Sequence, residues 1–181
     1  MSHRDFAFIQ IAPDRLFVGW GPFEHLPFRK PERPAFFIAD FFLDDPHPWR
    51  HPATWEELTV SELAARFPPS RQPGVKWEPV LLDAFATLFN SAQEAMRHGE
   101  FKKIVPVAFE NGRFAGASDV WQPLILRLTT VSQGMYAYGY SYQHHAIIGV
   151  SPEMLFATDG TGYQTIALAG TRPVDRASEL L

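Results

Sequence analysis

The stretch LLDAFATLFNSAQEAMRHGEFKKIV, residues 81–105, decides how the rest of the chain is read. Leu81, Ala84, Phe85, Leu88, Phe89, Ala92, Ala95 and Met96 recur at spacings of three and four, the period of one helix face. Pro79 precedes the run and Gly99 follows it, the residues that most readily start and stop a helix. The spacing predicts an amphipathic helix with a buried apolar face. Ile104 to Phe109 then reads as a strand turning at Asn111-Gly112, the strongest short hairpin signal in the chain.

Working outward, Phe6–Ile11 and Leu16–Trp20 flank Ala12-Pro13-Asp14-Arg15 and predict a β-hairpin. A third strand is expected over Ala35–Leu43, followed by a proline-rich loop, Asp44-Asp45-Pro46-His47-Pro48. Thr59 or Ser61 is placed to cap a short helix through Leu63–Phe67, which Pro68-Pro69 would stop. Ser118-Asp119 reads as the cap of a helix reaching about Thr130. The last third alternates strand-like runs: Met135–Tyr142, Ala146–Ile148, and Met154–Thr158 joined to Tyr163–Leu168 through Asp159-Gly160-Thr161-Gly162. Asp175 would cap a helix of which the sequence carries little more than one turn, so residues 1–181 are expected to be an incomplete domain, cut at its C-terminus.

With 46% hydrophobic residues, 16 phenylalanines and 5 tryptophans, the chain has enough apolar material for a sizeable core. No uninterrupted apolar run approaches the ~20 residues that cross a bilayer. The first residues lack a secretory h-region, and there is no cysteine, so a cytoplasmic location is the expectation. A formal net charge of −4, with Lys102-Lys103 the only lysine pair, argues against a nucleic-acid surface. An anionic small substrate is still allowed, because a few local cations suffice to bind it.

Some familiar patterns carry little. His47 and His51 have the spacing of a helical zinc pair, but Pro46, Pro48 and Pro52 forbid the helix, and both read as loop histidines. His144-His145 falls on or beside a strand, where neighbours point to opposite faces. Gly19-Trp20-Gly21 has neither the third glycine nor the helix of a dinucleotide motif and reads as a strand ending in a turn.

Three segments say more together: His98-Gly99-Glu100-Phe101-Lys102-Lys103-Ile104-Val105, Gly149-Val150-Ser151-Pro152-Glu153-Met154-Leu155-Phe156, and Ala167-Leu168-Ala169-Gly170-Thr171-Arg172-Pro173. Their order and separation resemble the chorismate-utilising enzymes, which include isochorismate synthase, salicylate synthase, anthranilate synthase and aminodeoxychorismate synthase. The second is similar to that family's G-A-S-P-E-x-L block, the third to its A-G-T-R-P block, and the first to its G-x-x-x-K-V-V-L-A-R strand. Pro106 and Ala108 depart from the leucine and arginine of that strand, and a proline there requires an edge position, a bulge or altered pairing. The resemblance implies an α+β fold, part of the layered sheet-and-helix structure of these enzymes.

It also implies roles. Lys103 stands where water-using members carry lysine and ammonia-using members glutamine, so it is the expected general base. Glu153 corresponds to the general acid, and Ala169, Gly170 and Thr171 to residues placed against the substrate ring. The expected activity is isochorismate formation from chorismate: Lys103 deprotonates the added water while Glu153 protonates the leaving hydroxyl. Unperturbed values of about 10.4 for lysine and about 4.3 for glutamate suit neither task, and burial would move each the right way. The family also uses Mg2+, whose ligands are expected beyond Leu181. Salicylate synthase is the nearest rival, Lys103 disfavours the ammonia users, and a non-catalytic chorismate-binding or partner-binding fragment is the reading from another class. Each assignment has a plain counterpart: a lysine guarding a sheet edge, a Ser-Pro-Glu turn, a tight turn after a strand.

Overall fold

The computed structural model describes residues 5–40, 42–71, 74–79, 82–107, 109–115, 120–130, 134–143, 145–152, 157–158 and 160–165. They fall into two compact units, one formed by Met1–Pro69 with Trp121–Leu181, the other by Ser70–Val120.

The first unit is organised by β1 (Phe6–Ala12) and β2 (Arg15–Leu26), the expected antiparallel hairpin, with Phe6 opposite Trp20 and Phe8 opposite Val18. β3 (Phe36–Phe37), β4 (Trp49–Leu58), β7 (Tyr136–Tyr142) and β8 (His145–Ser151) complete a six-stranded antiparallel sheet in the order β3-β4-β2-β1-β7-β8. Two helices of the same unit, α1 (Val60–Ala64) and α3 (Trp121–Arg127), supply Leu63 and Ile125 to a core that also holds Phe6, Phe8, Leu16, Val18 and Ala137. Phe6 is fully buried at its centre, with ring centroids 4.9 Å from Phe67, 5.8 Å from Trp20 and, edge-on, 4.7 Å from Trp121. β7 shows why the sheet has two characters: Ala137, Gly139 and Ser141 are buried, while the alternate residues Tyr136, Tyr138, Tyr140 and Tyr142 take the opposite face. A short antiparallel pair, β9 (Ala157–Thr158) and β10 (Tyr163–Gln164), confirms the expected C-terminal hairpin over its described residues.

Of the two residues able to cap the first helix, Thr59 does so. Its hydroxyl accepts from Glu62 N at 3.2 Å while Glu62 Oε2 accepts from Thr59 N at 2.7 Å, a reciprocal capping box. The helix toward Thr130 is present as α3 followed by a 3-10 turn, Leu128–Thr130; its expected cap, Ser118-Asp119, lies outside the described residues, as does the helix expected after Asp175.

Three expectations in this unit need correction. The chain just after the proline-rich loop Asp44–Pro48, with His51 expected in a loop, is instead the ten-residue strand β4. Pro52 is tolerated because β3 reaches only Trp49 and Arg50, and because Pro52 faces Phe23 beside the irregularity in register between Trp20 and Phe23. That irregularity also carries β2 through Gly19-Trp20-Gly21 to Leu26, where a strand end was expected. The strand expected over Ala35–Leu43 contracts to Phe36–Phe37. Asp40 closes a turn, accepting Leu43 N on its carbonyl and Asp44 N on its carboxylate.

The second unit contains β5 (Gly74–Trp77), α2 (Leu82–Arg97) and β6 (Gly112–Ala115). α2 is the helix read from its three-and-four spacing, and it ends as that reading requires. Gly99 adopts φ of +76°, and Gly99 N and Glu100 N return to the carbonyls of Met96 and Ala95. Ile104–Phe109 is not a strand: residues 104–107 are irregular, Ala108 is outside the described residues, and Pro106 removes a ladder donor. Nor does Asn111-Gly112 turn a hairpin; Gly112 opens β6, which pairs with β5. The apolar face of α2 was expected to be buried, yet Ala92 alone of the helix is. Leu88 and Phe89 are 49% and 42% exposed. Among the described residues no helix is long and apolar enough to cross a membrane.

Phe6→Ala is expected to cost about 3–5 kcal/mol and Thr59→Ala about 1 kcal/mol in urea unfolding, since the first opens the centre of the core and the second removes one cap. Phe89→Glu should change stability far less, while reducing binding of an apolar-surface dye.

Candidate functional site

The candidate base, Lys103, lies in the second unit, in the irregular segment after α2, and its side chain is exposed, as is that of Lys102. The described residues therefore do not build the desolvated pocket that would keep a lysine neutral. Gly149, Val150 and Ser151 of the second motif belong to the first unit, on β8. Gly149 is opposite Tyr138, and a Cβ there would sit 2.6 Å from the Tyr138 hydroxyl, so the motif glycine makes room for a tyrosine across the ladder. Glu153, the candidate acid, and Ala169, Gly170 and Thr171, the candidate ring contacts, all lie outside the described residues. Among the described residues no group of three or more His, Asp or Glu side chains is arranged to hold a metal ion.

A second concentration of chemistry-bearing residues was not foreseen. His25 on β2 is the cross-strand neighbour of Arg50 on β4. The Arg50 guanidinium is nearly sealed, with its side chain 10% exposed, and donates from Nη2 to Asp45 Oδ2 at 2.5 Å. Its Nε and Nη1, and His25 Nε2, are buried without a hydrogen-bond partner among the described residues. The Tyr142 ring lies 4.9 Å from His25 and stacks on Tyr140 at 6.2 Å. Burial, with the Arg50 charge adding to it, holds the His25 imidazole below the ordinary histidine range. Burial likewise pushes the Tyr140 phenol up, against the pull of Arg50. Backbone donation from His47 and the Arg50 guanidinium hold Asp45 below the usual carboxylate range.

His51, expected in a loop beside His47, is instead a fully buried residue of β4, whereas His47 does lie in irregular chain. His51 Nε2 accepts the backbone N–H of Lys30 at 3.2 Å, which places its proton on Nδ1. The signal that would have found His51 and Arg50 was the strand containing them, hidden by Pro48 and Pro52.

As pH falls, the unfolded chain, with its histidine near about 6.5, takes up a proton before folded His25 does. The stability that His25 contributes is thus complete above about pH 6.5 and is lost as pH drops toward the lower folded value. Urea unfolding at stepped pH should show this slope, and His25→Gln should flatten it.

A family model described as chorismate binding enzyme matches residues 27–180. No curated protein and no solved structure matches the chain.

Proposed function

From the premise that this chain belongs to the chorismate-binding enzymes, we propose that the protein is an isochorismate synthase, adding water to chorismate with loss of the allylic hydroxyl. The observation that carries the choice within the family is Lys103, at the position where the resemblance implies lysine in water-using members and glutamine in ammonia users. In this reading Lys103 takes a proton from the attacking water, Glu153 gives one to the departing oxygen, and Ala169, Gly170 and Thr171 lie against the ring. Both proton-transfer groups need a low-dielectric setting, which the assembled site would have to supply around Lys103. Mg2+ and a cytoplasmic location belong to the same proposal. Mg2+ would neutralise the two carboxylates of the substrate.

Exposure of Lys103 in irregular chain, beside Pro106, favours a second reading in which the chain binds chorismate or a partner without turning substrate over. Product analysis of the complete protein with chorismate and Mg2+ separates the two. On the first reading, Lys103→Gln and Glu153→Gln each lower kcat roughly 10²–10⁴-fold while KM shifts only modestly, because these groups act on protons in the transition state. A Lys103→Gln protein with near-normal isochorismate formation would show that another group is the base, whereas no product from the unaltered protein would leave the second reading standing.

A further inference from the structure

Residues 27–35 form an irregular strap fixed to the sheet of the first unit at several points. Lys30 N donates to buried His51, the Arg33 guanidinium donates to Glu24 at 3.1 Å and to the Pro52 carbonyl at 2.9 Å, and Lys30 Nζ meets Glu24 at 2.6 Å. Between the strap and the β3–β4 pair lies a groove of about 780 Å³. That volume is within the roughly 300–1,000 Å³ of small-molecule sites, and the fixed strap makes one wall preformed. Phe37 and Trp49 line the groove from the sheet side. They are cross-strand neighbours with ring centroids 5.0 Å apart at 63°, and Phe37 is 55% exposed, which leaves aromatic surface free for a guest.

The polar lining is unequal. Arg33 is held by Glu24 and Pro52, but Arg29 and Glu32 have no ion-pair partner among the described residues. With Arg33 paired to Glu24, the lining offers one unpaired cation, Arg29, and one unpaired anion, Glu32. A single carboxylate complements the unpaired Arg29 guanidinium in the paired, fork-like geometry that arginine favours. A flat ring attached to it would meet the exposed aromatic surface. Glu32 repels a second negative charge.

We propose that this groove is a binding site for a planar aromatic monocarboxylate, with Arg29 taking the carboxylate and Phe37 and Trp49 the ring. It uses none of Lys103, Glu153, Ala169, Gly170 or Thr171, so it stands or falls apart from the proposed catalytic reading.

Calorimetric titration of the full chain with benzoate tests it, with phthalate and phenylalanine as comparators. Saturable benzoate binding is expected, with Kd on the order of 0.1–1 mM for so small a ligand. Arg29→Gln and Phe37→Leu should each weaken it roughly five- to tenfold. Arg15→Gln, which removes an arginine paired with Glu57 outside the groove, should leave it unchanged. Phthalate should bind more weakly than benzoate. Because Arg29 is exposed and unpaired, its loss should leave the circular dichroism spectrum and urea midpoint unaltered. Absence of saturable binding, indifference to Arg29→Gln, or tighter binding of phenylalanine than of benzoate would each overturn the proposal.

Discussion

The contact between Phe6 and the indole of Trp121 is the constraint on which the first unit rests. Phe6 belongs to β1, inside the six-strand order, and Trp121 opens α3, so one edge-to-face packing ties sheet to helix. Phe67, just beyond α1, lies against both rings, and Trp20 of the neighbouring strand completes the group. With those rings in place the helices cover one sheet face and the alternation of β7 sends its four tyrosines to the other.

That second face is unlike an ordinary polar exterior. It carries a buried arginine, a histidine biased toward neutrality and a file of tyrosines, all on strands whose positions the aromatic core fixes. A sealed guanidinium is costly, and Asp45, with the Tyr140 phenol beside it, offsets part of that cost. Burial and the Arg50 charge bias the histidine opposite it toward the neutral form, which disfavours a second positive charge there.

The parts legible in the sequence were those whose signals are local. The hairpin over Phe6–Trp20 has its alternation and its turn within fifteen residues; α2 states its period over sixteen and closes with Gly99; Thr59 and Glu62 cap α1 three residues apart. β4 was illegible because two prolines argue locally against a strand, and only the short reach of β3 and the uneven register of β2 make them acceptable. The strand over Ile104–Phe109 failed for the opposite reason: its residues are strand formers, but Pro106 and the pairing of β6 with β5 leave it without a ladder. For the candidate site, motif order was enough to identify the family, whereas the surroundings of Lys103 were invisible to any motif.

β1 has two partners that are made at very different times. Its hairpin with β2 closes within a few residues, but its other edge waits for β7, and Gln10 meets Ala137 across 127 positions of chain. On the ribosome, β1 and β2 can therefore pair early while one side of β1 has no neighbour until more than a hundred further residues have emerged. The second unit, Ser70–Val120, is synthesised in that interval. Such non-local closure raises the contact order and slows the final step of folding. Meanwhile a naked strand edge rich in apolar side chains is open to pairing with other nascent chains. The yield of native protein should therefore depend on how fast translation crosses residues 70–140 and on chaperones that shield β1 until its second edge arrives.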